Sequence, residues 1–179
     1  IEGSSYTWEL LNPAPIEFEA QAAEPSDRFP RLLFTAIPPA GVAPKVVSFS
    51  SWDQFAARYS RDIAPLSEPD EAIKREAARA AADLDWFAKV RAIAVLVRND
   101  VRYVSKAFGT AGYIPRASGE TFSSLWGDCK DKGTLLRAML TSQGIESYVT
   151  LIGMNGRYNA SDRVAVNSRF DHFIVAVVV

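Results

Sequence analysis

Apolar and polar positions alternate along this chain with two different periods. Near the start, Ile16, Phe18, Ala20 and Ala22 alternate with Glu17, Glu19 and Gln21, the two-residue period of a half-buried strand. Leu32–Ile37 and Lys45–Ser50 read as further strands, punctuated by prolines at 13, 15, 25, 30, 38, 39 and 44. Residues 1–50 are therefore expected to be a β-rich segment, the end of a preceding β domain. After that the period becomes helical. Ser50 or Ser51 can cap a short helix with Trp52, Phe55, Ala56 and Tyr59 on one face. Ile63–Pro69 reads as a linker, which makes residues 51–69 a short helix and linker before a main domain over 70–179. The alanine-rich run Asp70–Ala82 is a helix by intrinsic propensity. Asp83 or Asp85 caps the next one, with Phe87, Val90, Ile93, Ala94 and Val97 as its buried stripe and Trp86 in the core.

Ser105–Ser124 has no sustained period and reads as a long loop. A loop of this length inside a compact domain is usually functional. It leads straight into the next helix, so it is expected to wall a substrate cleft, with Tyr113 and Trp126 as substrate-binding candidates. Met154–Ser168 reads as a second polar loop, joining two strands near the opposite wall.

The chain is organised around Gly127-Asp128-Cys129-Lys130-Asp131-Lys132-Gly133, followed by Leu135, Leu136, Met139 and Leu140 at helical spacing and a stop at Gly144. Asp128 is a preferred N-cap type, and Asp131 stands where it can reach back to the first turn. Cys129 is thus expected to open a buried helix, beside unpaired N–H groups and the positive end of the helix dipole. That setting favours thiolate over thiol, and Lys130 and Lys132 are expected to push the same way. The single histidine, His172, lies in Phe170–Val177, which reads as a strand. A lone cysteine or a lone strand histidine is more often inert. Together, a cysteine opening a capped helix and a histidine on a later strand have the sequence form of a nucleophile and its base.

Composition removes several classes. A net charge of −1 and the absence of a basic stripe argue against nucleic acid as a partner. One cysteine rules out an intrachain disulfide, and with one histidine it rules out zinc sites built from Cys and His alone. No clustered carboxylate spacing suggests a metal either, and no cofactor is expected. Apolar runs such as Phe173–Val179 are far shorter than the roughly twenty residues that cross a bilayer, so no membrane-spanning segment is expected. No secretory signal is read in the sequence. With 179 residues, 48% of them hydrophobic, the chain can bury a substantial core. Its end in Val177-Val178-Val179, in mid-strand, reads as a fragment of a longer protein.

These motifs resemble the transglutaminase-like superfamily, in the bacterial branch with a β-rich N-terminal domain. The likeness rests on Gly127-Asp128-Cys129-Lys130-Asp131, the helix end at Gly144-Ile145, the strand Tyr148–Ile152 and Asp171-His172-Phe173-Ile174-Val175. Asn99–Val104 and Gly112–Pro115 also look like that branch, and the resemblance is strongest over residues 86–179. It implies an α+β, papain/transglutaminase-like core, with the cysteine at the N-terminus of a buried helix packed on an antiparallel sheet. It also implies Cys129 as nucleophile and His172 as base of a cysteine peptidase, amidase or transglutaminase-type acyltransferase. The chemistry would pass through a thioacyl intermediate on a peptide or protein substrate, and the full-length parent would be periplasmic or secreted. The family's third catalytic residue, an Asp or Asn on the strand after the histidine strand, matches no position here and is expected beyond Val179, so impaired activity is expected. Asp171 is a poor substitute, because neighbours in a strand face opposite ways. A non-catalytic peptide- or protein-binding module on the same fold is the alternative, with exposed edges of the N-terminal strands available for strand addition. A structural domain with a buried cysteine is the third reading.

Overall fold

Four short polar side chains start the main helices of the computed structural model. The described residues are 48–105, 112–154, 164, 165 and 170–179, with 5, 7–13, 15, 32 and 34 near the start. The strand expected over 16–22, most of that over 32–37 and half of that over 45–50 lie outside them, as does most of the 154–168 loop.

Ser51 Oγ accepts the Gln54 N–H at 3.2 Å and begins helix α1, Trp52–Ile63. The chain continues into a 3-10 turn over Ala64–Ser67. Asp70 accepts the Ile73 N–H at 2.8 Å and begins α2, Glu71–Ala81. Asp85 accepts the Ala88 N–H at 2.9 Å and begins α3, Trp86–Asp100. Strand β1 is only Arg102–Tyr103, helix α4 is Ser118–Ser124, and β2 is Trp126–Gly127. Asp128 then begins α5, Cys129–Ser142, which is followed by β3, Ser147–Ile152, and β4, His172–Val177. Each cap satisfies a donor that an isolated helix leaves open, worth about 1 kcal/mol.

Helix α5 is the centre of the fold. Leu135, Ala138, Met139 and Leu140 are completely buried, and they join Ile73, Ala77 and Ala81 of α2 with Ile93 and Val97 of α3 in one core. Strands β3 and β4 pair antiparallel, from Ser147 opposite Val177 to Ile152 opposite His172, and pack on α5. Phe173 is buried, and Val175 and Val177 pack against the core from the same face of β4. The fold class is α+β, with the cysteine at the N-terminus of a buried helix that packs on an antiparallel sheet.

The structure departs from the sequence reading in three places. Residues 118–124, expected as loop, are helix α4. Its Ser118 Oγ donates to the Glu68 carbonyl at 2.8 Å and Thr121 is fully buried, so contacts from remote segments hold a turn that local periodicity does not announce. The stretch read as a linker is tied in as well: Ser67 is buried and its hydroxyl lies 3.3 Å from the Arg137 guanidinium. Finally, Phe87 is 71% exposed and Trp86 is also exposed. The face of α3 that meets α2 and α5 runs through Val90, Ile93 and Val97, and the first turn lies outside it.

Candidate active site

The start of α5 is built by two aspartates that bond each other's backbone. Asp128 Oδ1 accepts the N–H groups of Lys130 (2.9 Å) and Asp131 (3.3 Å), while Asp131 Oδ2 accepts the Asp128 N–H at 3.3 Å. This capping box places Cys129 at the first helical position, half-buried and as a free thiol. Asp131 is buried and also accepts from Arg116, from its backbone N–H at 2.9 Å and its Nε at 3.2 Å.

The two lysines do not act as the sequence reading expected. Lys130 is buried with its Nζ 2.5 Å from Asp128 Oδ2, so its charge is matched by the capping carboxylate. Lys132 points the other way. Its Nζ donates to the carbonyls of Val101 (2.6 Å) and Arg98 (3.2 Å) at the end of α3, and burial lowers its pKa. What remains beside the sulfur is the helix start itself.

A cleft of about 130 Å³ opens at this point. Cys129 and His172 both line it, as does Tyr113. His172 arrives there as the first residue of β4, half-buried and opposite Ile152. Asp171 also borders the cleft, and its Oδ1 accepts the Met154 N–H at 2.8 Å. Trp126 is not brought to the cleft. The Arg116 guanidinium lies 4.0 Å above its ring and also donates to its carbonyl oxygen, so it packs as a partner of the Arg116–Asp131 pair.

Besides Tyr113 and Phe173, three aromatic residues line the cleft that had no assigned role in the sequence. Tyr59 comes from α1, where its spacing marked only a buried face; its hydroxyl donates to the Tyr113 carbonyl at 2.8 Å and pins that wall. Burial, followed by the negative charges of Cys129 and Asp128, raises its pKa, so it stays protonated. Phe170 joins a cluster with Trp52 (ring centroids 5.5 Å apart) and Phe55 (6.4 Å), which links α1 to the start of the histidine strand. Tyr103 reaches the cleft from β1, which pairs in parallel with β2 so that Tyr103 stands opposite Gly127. The motif around Tyr103 carried part of the family resemblance, but only the pairing places its side chain near the cysteine.

The arrangement offers a thiol at a helix start, an imidazole, several phenols and aromatic walls. Among the described residues, no group of three His, Cys, Asp or Glu could hold a metal ion, and no helix is long and apolar enough to cross a membrane.

The chain matches no protein-family model and no curated protein. Among solved structures it is similar to a chain from Parabacteroides distasonis, provisionally named a protease, at 19% identity and a TM-score of 0.55, covering 68% of this chain and 24% of that one. A chain from Cytophaga hutchinsonii, provisionally named a cysteine protease, gives 20% identity and a TM-score of 0.45, covering 65% of this chain and 38% of that one. The likeness is one of fold. It agrees with an α+β papain-like core, and this chain spans about a quarter of the length of the first neighbour.

Proposed function

We propose that this chain carries the nucleophilic centre of a transglutaminase-like cysteine enzyme that hydrolyses amide or peptide bonds. The observation that supports this best is that Cys129, at the first position of a capped helix, lines the same cleft as His172. The Cys129 thiolate attacks the carbonyl carbon, and the C–N bond breaks as His172 gives its proton to the leaving amine. Water then adds to the thioester carbonyl as His172 takes one of its protons, and the C–S bond breaks to release the carboxylic acid and restore the Cys129 thiolate beside protonated His172. Backbone N–H groups at the start of α5 stabilise the oxyanion; each such donor is worth roughly 3 kcal/mol. Tyr113 and Phe170 supply aromatic wall to a peptide or protein substrate. The fold shared with a chain provisionally named a protease is in keeping with water as the acyl acceptor.

The test is acylation by p-nitrophenyl acetate followed by mass spectrometry of the denatured protein. One acetyl group on the Cys129 peptide is expected, absent in Cys129→Ala and formed about 10²-fold or more slowly in His172→Ala. A wild-type protein that takes no acetyl group, or takes it at the His172→Ala rate, would refute the reading.

A further inference from the structure

The phenol of Tyr103 takes no part in the steps above, yet it stands in the cleft with Cys129. Two backbone features hold it there. Tyr103 is in register with Gly127, two residues before the cysteine, and the Val104 N–H donates to the Gly127 carbonyl at 2.9 Å. Its side chain is 55% exposed, so core packing does not account for its placement.

Several of the other polar groups that line the cleft have partners elsewhere. Tyr59, from α1, donates to the Tyr113 carbonyl, and Lys130 is held by Asp128. From β4 come His172 and Asp171, the latter accepting from Met154; the Tyr113 side chain faces the cleft from the segment before α4. Burial first, then the negative charge and side chain of Cys129, raise the Tyr103 pKa against a smaller lowering by the Cys129 backbone, so this phenol keeps its proton.

We propose that Tyr103 is a positioning residue whose phenolic O–H donates to the Cys129 sulfur and holds it as a thiolate. The proposal rests on the reading of Cys129 as nucleophile. A phenol is a neutral donor, so it stabilises the anion without adding a fixed charge to the cleft.

The test is the rate of Cys129 alkylation by iodoacetamide against pH in the wild type, Tyr103→Phe and His172→Ala, with circular dichroism as the check on folding. The wild-type inflection is expected below the free-thiol value of about 8.5, moving up by about one pH unit in Tyr103→Phe. If Tyr103→Phe superimposes on the wild type while His172→Ala shifts, the role of Tyr103 falls and the nucleophile reading stands. A wild-type inflection at the free-thiol value, indifferent to both substitutions, sinks both. An unshifted inflection with slower acetylation by p-nitrophenyl acetate would put the phenol on the carbonyl oxygen and overturn the proposal too. A second measurement leaves Tyr103 intact: in Cys129→Ala its ring-carbon NMR titration is expected at lower pH than in the wild type, and an unmoved titration counts against the contact.

Discussion

The ring of Phe173 lies so close over Gly133 that a methyl group on Gly133 would overlap it. Gly133 is one turn into α5 from Cys129, and Phe173 follows His172 in β4, so this contact sets how closely the cysteine helix approaches the histidine strand. Glycine inside a helix costs about 1 kcal/mol relative to alanine, and the close approach is what it allows. Gly133→Ala is expected to destabilise the fold by about 1–2 kcal/mol net, overpacking partly offset by helix propensity. It should also slow Cys129 acetylation by displacing β4. Urea denaturation and the p-nitrophenyl acetate assay check the two effects.

Asp128 caps α5 and holds Lys130 Nζ at 2.5 Å inside the protein. Asp128→Asn keeps the cap but leaves a buried ammonium without its carboxylate, whereas Asp128→Ala loses both. Losses of about 3 kcal/mol and about 4 kcal/mol are expected, in that order. In the double variant Asp128→Asn with Lys130→Met, where no unmatched charge is left, most of the first loss should return. Equilibrium unfolding of the three variants decides it.

Arg116 meets the buried Asp131 and covers Trp126. Arg116→Ala is expected to cost about 2–3 kcal/mol, because Asp131 keeps only its backbone partners. Arg116→Lys should recover little of this, since an ammonium cannot reproduce the guanidinium's forked donors or stack on the ring. Trp126→Phe should lower stability slightly and leave the acetylation rate unchanged, as its ring does not line the cleft. Thermal melts and the acetylation assay test these together.

Tyr59 has a raised pKa through burial and the neighbouring negative charges. An unfolded tyrosine releases its proton near pH 10, where the folded one retains it. Above that pH the native state binds more protons than the unfolded state, so stability falls as pH rises. It is fully present below about pH 10 and lost towards the folded pKa, with a slope of up to about 1.4 kcal/mol per pH unit. Tyr59→Phe is expected to flatten this alkaline limb. Urea midpoints between pH 9 and 11 measure it; equal slopes in both proteins would count against it.

Much of the local structure was legible in the sequence. The bonds that start helices α1, α2, α3 and α5 join a side chain to a backbone group within three residues, so Asp128 could be read directly, Ser51 and Asp85 as one of two neighbouring candidates each, and Asp70 as the first residue of a run read as helix by propensity. The buried face of α5 followed from its periodicity for the same reason. Helix α4 was not legible, because its anchor, Ser118 to Glu68, spans fifty residues. Nor were β1 and β2, two residues each, which exist only as a pair.

By itself the sequence determined, to within a residue or two, where helices α1, α2, α3 and α5 begin and that Cys129 opens a buried one, since helix initiation is settled within a single turn of chain. Tertiary structure alone decided which partner each charge takes: Lys130 turns to Asp128, Lys132 to the end of α3, and Arg116 to Asp131 and away from the cleft. It also decided that Tyr59, Tyr103 and Phe170 line the cleft beside Cys129 and His172, while Trp126 does not. Those outcomes depend on segments tens of residues apart crossing at one place, and no local pattern of apolar and polar positions encodes that crossing.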